Sequence, residues 1–170
     1  MFTFTQVTEI DDLTFKTLFD HSLPDMDSGT YDWDILARAV TYEDKIAHFR
    51  DKYDGALANG FVWLVKEGDW PLQLNAGDLE GNRIKWYLGL IGPDEQGSKG
   101  YFYSQAYAEA RNAFWDSLGI TGWDIDVLGA EGKISNHFRA RKAAGTLGSD
   151  LDIEPRDAPI LPIADVKLTR

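Results

Sequence analysis

The chain has 170 residues, 28 of them acidic and 17 basic, for a formal net charge of -11. That balance argues against a general nucleic-acid role, which needs clustered Lys and Arg, and against docking on an anionic membrane. The absence of cysteine excludes disulfides, thiolate nucleophiles and Cys–zinc sites.

Phe2 to Val7 alternates apolar residues with Thr and Gln, the period of a strand. Asp11 or Asp12 then caps a short helix through Leu13, Phe15, Leu18 and Phe19. Ser22 to Gly29, with Pro24 as a breaker, reads as a loop. Trp33, Leu36, Ala37 and Val40 recur at helical spacing, and Thr41-Tyr42-Glu43-Asp44 has the pattern of a fresh capping box. Ile46, Phe49 and Tyr53 continue that helix, which Gly55 or Gly60 ends.

Three strands follow: Phe61 to Val65, Pro71 to Leu74, and Arg83 to Ile91. The turns Glu67-Gly68-Asp69 and Glu80-Gly81-Asn82 make them an antiparallel meander. After a loop, Tyr103, Tyr107, Ala110, Phe114 and Leu118 form the apolar stripe of a helix stopped by Gly119. Trp123 to Leu128 is a strand. Ser135 caps a helix from Asn136 to Ala144, ended by Gly145. The tail, punctuated by Pro155, Pro159 and Pro162, holds only extended segments.

The order β-α-α-β-β-β-α-β-α-β-β describes an α+β fold with a mixed sheet, antiparallel in its first half. The length and the lack of a linker make residues 1–170 one domain. Trp63, Trp86 and Trp123 read as core. No apolar stretch approaches a transmembrane length, and MFTFTQVTEIDD lacks the basic and apolar parts of a secretory signal, so a cytoplasmic protein is expected. His21, His48 and His137 show no metal-ligand spacing, and no metal is expected.

The stretch GPDEQGSKGYFYSQ, Gly92 to Gln105, lies between a strand and a helix. Small residues before a helix N-terminus let backbone N–H groups point at phosphate oxygens. Asp94 and Glu95 oppose phosphate there. The stretch is either a phosphate cradle, with Lys99 offering a mobile ammonium, or a glycine-bearing surface connection.

Over essentially the whole chain, the element order resembles the GNAT (N-acetyltransferase) superfamily. The resemblance implies a sheet splayed between its fourth and fifth strands, with acetyl-CoA in the gap as co-substrate. Gln96-Gly97-Ser98-Lys99-Gly100-Tyr101 falls where members carry Arg or Gln, two residues, Gly, one residue, then Gly or Ala. Gln96 is kept, but Lys99 and Tyr101 replace the small residues, and Gly97 and Gly100 are out of register by one. The resemblance makes these six residues, with the backbone of Leu90, Ile91 and Gly92, the expected acetyl-CoA contacts. Members also carry an Asn and a Tyr in the last helix, for the pantetheine arm and the thiolate. Aligned on Gly145, those places hold Ile134 and Arg141, with Asn136 two positions late as the substitute Asn.

The acid and base are therefore sought elsewhere. His137 is a candidate acid because imidazole titrates near neutrality, and Glu80, with Asp78, is the nearest carboxylate to the fourth strand. Asp124 and Asp126 share a face of the fifth strand and either approach a substrate amine or are ordinary surface acids. Tyr101, Phe102 and Tyr103 either line an acceptor pocket or pack in the core. The expected function is acyl transfer from an acyl-CoA to a small-molecule or protein amine. Its rival is a catalytically inactive GNAT-like structural or interaction protein, of a kind found in tailed phages, whose acidic surface docks a basic protein partner.

Overall fold

The computed structural model describes residues 1–25, 41–157 and 163–170. The expected helical stripe of Trp33 to Val40, and the prolines Pro159 and Pro162, lie outside the described residues.

The elements are β1 (Phe2–Gln6), α1 (Asp12–Asp25), α2 (Tyr42–Asn59), β2 (Phe61–Glu67), β3 (Trp70–Glu80) and β4 (Arg83–Ile91). A 3₁₀ turn (Gly100–Tyr103) leads into α3 (Gln105–Ser117), β5 (Gly122–Leu128), α4 (Lys133–Ala143), β6 (Asp150–Arg156) and β7 (Ile163–Thr169). They form one seven-stranded sheet in the order β1-β2-β3-β4-β5-β7-β6.

Local chemistry accounts for most of the boundaries. Asp11 accepts from the Thr14 N–H at 2.8 Å and caps α1, and the capping box of Thr41 and Asp44 is present on α2. Ser104 caps α3. Three expectations are corrected. The α1 helix runs on to Asp25 because Pro24 stands in its last turn, where it ends a helix rather than breaking one. The third strand continues past Leu74 to Glu80, its Asn75 and Gly77 held by pairing on both sides and its Asp78 by β4. The last helix begins at Lys133, and Ser135 is inside it, fully buried and donating to Gly129 O at 2.9 Å.

Alternating side chains give the sheet two apolar faces. Val62, Leu74, Ala76, Leu88 and Leu90 pack under α1 and α2 with Phe15, Phe19, Phe49 and Tyr53. Phe61, Trp63, Ile84, Trp123 and Val166 pack under α3 and α4 with Tyr107, Trp115 and Phe138. Helices on both faces of a mixed sheet make a three-layer domain.

Every neighbouring pair of strands is antiparallel except β4 and β5, which run parallel. That pairing is short: Arg83 to Trp86 against Gly122 to Ile125. Beyond it, Tyr87 to Ile91 stays on β3 while Asp126 to Leu128 stays on β7, so the sheet opens. The opening begins at a bulge. Ala76 pairs with Leu88 and Gly77 with Trp86, leaving Tyr87 as an extra residue that bends β4 away. Gly77 is required there, since a Cβ would lie 2.5 Å from Lys85 O and 2.8 Å from the Ile84 side chain. At the closed end, Arg83 clamps the pair with a two-pronged bond to Asp124, Nε to Oδ2 at 3.0 Å and Nη2 to Oδ1 at 2.9 Å. Replacing Gly77 with Ala is expected to destabilise the fold by about 1–3 kcal/mol, the usual cost of overpacking. Urea unfolding with an unchanged slope checks it.

Candidate functional site

A cavity of about 880 Å³ fills the opening between β4 and β5. Trp86 to Gly89 and Ile91 form one wall and Ile125 to Val127 the other. Tyr103 and Tyr107 close it from α3 and its approach, and Ile134, His137 and Arg141 from α4. Its lining is largely aromatic and aliphatic, yet Lys99, Arg111, Lys133 and Arg141 all reach it. With Lys85, five cations and one acid, Asp126, line the cavity of a chain with net charge -11, so the site is locally opposite to the molecule.

The loop after β4 is organised around its own acid. The Asp94 carboxylate accepts from the N–H groups of Gln96 at 3.0 Å and Ser98 at 2.8 Å. Ser98 Oγ takes the Gly100 N–H at 2.9 Å, and Gly97, at φ 84°, makes the turn. A negative oxygen thus already sits where backbone N–H groups converge. Those N–H groups are taken up by the loop's own Asp94. Tyr101 is buried, and its hydroxyl donates to Gly92 O at 2.9 Å, fastening the loop to the strand end.

The β4 backbone is also occupied. The Gly92 N–H donates to Leu72 O at 2.8 Å. The Ile91 N–H donates to Ser22 Oγ at 2.9 Å, and that hydroxyl donates back to Ile91 O at 3.2 Å. Leu90 is fully buried among the α1 and α2 contacts. So of these three residues only Ile91 lines the cavity, and the N–H groups of Ile91 and Gly92 are committed inside the protein.

The structure brings Ile91, Lys99, Gly100 and His137 together at the cavity, with Tyr101 packed behind them. Gln96, Gly97 and Ser98 stand in the exposed loop beyond it. Asn136 is turned toward its own helix start, donating to Glu131 O and accepting from Arg139, and Ile134 lines the cavity instead. Glu80 pairs with Arg83 at the exposed hairpin tip, the end of β4 opposite the opening. Asp124 is held by Arg83. Asp126 faces the cavity and is paired with Lys85 at 3.4 Å and Arg156 at 3.2 Å. Burial pushes its carboxyl up, but Asp165, Lys85 and Arg156 outweigh that and hold it below the usual carboxylate range.

His137 lies edge-on to Phe102, ring centres 5.1 Å apart, and to Tyr103 at 5.9 Å. Burial, then Arg141 and Lys99, lowers its pKa to about 4. At pH 7 it is a neutral imidazole, not the imidazolium that an acid role expects.

A buried polar chain that sequence reasoning missed crosses the floor. Gln73 Nε2 donates to Tyr107 Oη at 2.7 Å and Asn75 Nδ2 to Gln73 Oε1 at 3.3 Å, while Asn75 Oδ1 has no partner. Burial pushes the Tyr107 hydroxyl up, against Arg141 and Arg111 beside it. The readable signal was two amides in alternate positions of the strand Leu72-Gln73-Leu74-Asn75-Ala76.

No family model matches the chain, and no curated protein matches it in sequence. Solved structures do. A Bacillus subtilis acetyltransferase in complex with CoA matches at 11% identity and TM-score 0.55, over 100% of this chain and 99% of its own. The Campylobacter jejuni N-acetyltransferase PseH in complex with acetyl coenzyme A matches at 12% identity and TM-score 0.54, over 100% and 99%. The ribosomal-protein-S18-alanine N-acetyltransferase from Escherichia coli matches at 9% identity and TM-score 0.53, over 99% and 94%. The fold is therefore that of the GNAT acetyltransferases, with the sheet opening where the resemblance implied. Among the described residues, no group of His, Asp or Glu is arranged to hold a metal ion, and no helix is long and apolar enough to cross a membrane.

His137 is expected to titrate near 4 by NMR rather than near its ordinary 6.5. Because its folded pKa is the lower one, the unfolded chain binds the extra proton between those values. Stability should fall as pH drops from about 6.5 to about 4. In His137→Gln that part of the fall should be missing from a pH series of melts.

Proposed function

We propose that the protein transfers an acyl group from an acyl-CoA, in the first instance acetyl-CoA, to an amine. The observation that carries the reading is the open, cation-lined cavity between β4 and β5 in a fold otherwise shared with acetyltransferases.

The residues fit such a ligand in part. The apolar walls suit an acyl chain and pantetheine, and Lys99 and Lys133 suit phosphates. The backbone cradle fits only after the Asp94 carboxylate leaves the Gln96 and Ser98 N–H groups. Phosphate binding therefore leans on side-chain cations more than on the loop backbone.

The chemistry is attack of a neutral amine on the thioester carbonyl, forming a C–N bond as the C–S bond breaks. Within this chain, proton transfer is poorly served. Glu80 lies away from the cavity, His137 at about pKa 4 is mismatched to neutral pH, and Arg141 keeps its proton where the resemblance places a tyrosine acid. What the residues supply is positioning: two bound reactants held side by side in a largely apolar cavity, the ammonium losing its proton to solvent before entry and the nitrogen's surplus proton passing to the departing CoA thiolate through solvent. The acceptor class, small molecule or protein, belongs to the same proposal.

Acetyl-CoA titrated into the protein is expected to release heat and raise the melting temperature. Silence in both at millimolar ligand would refute the reading. Given binding, Lys99→Ala should weaken it roughly ten-fold through loss of a charge-assisted contact. Asp94→Ala, which empties the cradle and removes a like charge, should tighten it. An Asp94→Ala variant that binds more weakly shows that the phosphates do not use this loop.

A further inference from the structure

Charged groups inside proteins are paired as a rule, because taking an ion out of water without a counter-charge costs several kcal/mol. Arg111, also well buried, has hydrogen-bond acceptors in place of a counter-charge: it donates to Leu147 O and to Asn112 Oδ1 and lies 4.8 Å from the Trp123 ring. Arg141 lacks such bonds at two of its three nitrogens. It is 3% exposed, lines the cavity, and lies 5.3 Å from the Phe102 ring and 5.8 Å from the Tyr107 ring.

Its Nε and Nη2 have no hydrogen-bond partner. These two N–H groups point the same way from one edge of the guanidinium, at the spacing that matches the two oxygens of a carboxylate. The ionisable groups that favour the charge on Arg141 are the tyrosines Tyr107, Tyr103 and Tyr101 rather than a carboxylate. His137, one turn earlier on α4, and Lys99 bring no negative charge either. Aromatic faces hold the cation in place without using its fork.

We propose that Arg141 is the receptor for a carboxylate carried by a ligand of the β4–β5 cavity. A ligand carboxylate entering there would complete donors that the protein leaves unpaired. The inference deepens the acyl-transfer reading and rests on it for the identity of the molecule that bears the carboxylate. Two sources share this chemistry: an acyl-CoA whose acyl group ends in a carboxylate, and an amino-acid acceptor.

The test is calorimetric titration of the full chain with matched probes, succinyl-CoA against acetyl-CoA and L-alanine against ethylamine. Each is repeated with Arg141→Lys, which keeps the charge without the fork, and with Arg141→Gln. In at least one pair the carboxylate probe should bind about ten-fold more tightly or better, with the advantage reduced in the Lys variant and lost in the Gln variant. A preference for succinyl-CoA places the carboxylate on the donor; a preference for L-alanine places it on the acceptor. No preference in either pair, or one that survives Arg141→Gln, overturns the proposal.

Melting separates this role from packing. Arg141→Gln removes an unpaired buried charge, so its melting temperature should equal or exceed that of the wild type. A lower value, or failure to fold, marks Arg141 as a packing residue and also overturns the proposal. If neither CoA ester binds while L-alanine binds through Arg141, the acyl-transfer reading falls and the carboxylate site stands. If acetyl-CoA binds and neither carboxylate is preferred, the reverse holds.

Discussion

The structure depends on one limited pairing, the parallel contact of β4 with β5 over Arg83 to Trp86. Each strand is fully paired on its other side, β4 with β3 and β5 with β7. Neither can follow the other once they diverge, so the gap is built into the sheet rather than left by a weak strand. The Tyr87 bulge opens it and the Arg83–Asp124 clamp closes the far end. Two helical layers then cover the sheet, and the space left between the diverging strands becomes the cavity.

That geometry sets the electrostatics of the site. The acidic side chains nearest the opening are consumed by neighbours: Asp94 by its own loop, Asp124 by Arg83, Asp126 by Lys85 and Arg156. The cations Lys99, Lys133, Arg111 and Arg141 remain on the cavity lining. A strongly acidic chain thereby presents a basic interior, which adds to the burial that keeps His137 neutral and leaves an anion as the natural visitor. The same arrangement explains why the loop looked contradictory. Its acid sits in the cradle in the manner of a phosphate, so the small residues and the carboxylate are parts of one turn.

Much of the fold was legible because it rests on local rules. The Phe2 to Val7 alternation, the Thr41 capping box and the turn at Gly81 each act within a few residues, and each is seen in the structure. The helix expected from Tyr103, Tyr107, Ala110, Phe114 and Leu118 is present, but Tyr107, Ala108, Arg111 and Trp115 form its buried face, while Tyr103 and Leu118 are exposed. Expectations failed where distant pairing overrode propensity. The expected strand stopped at Leu74, yet Asn75 to Gly77 continue it because β2 and β4 hold them from both sides. Of the candidate site, Lys99, Gly100 and His137 were placed at the cavity. Glu80 and Asn136 were not, since a residue close in sequence to a strand or helix end can point away from the opening.

The amino-acid sequence by itself determined the order of strands and helices, the absence of thiol chemistry and the site of the loop, because periodicity, capping and composition are properties of neighbouring residues. Only the tertiary structure decided that Asp94 fills the loop, that Ser22 reaches across 69 residues to hold Ile91, and that Arg141 lies among aromatic rings with its fork unpaired. Whether a charge meets a partner depends on what packing brings to it from elsewhere in the chain, and no local pattern records that.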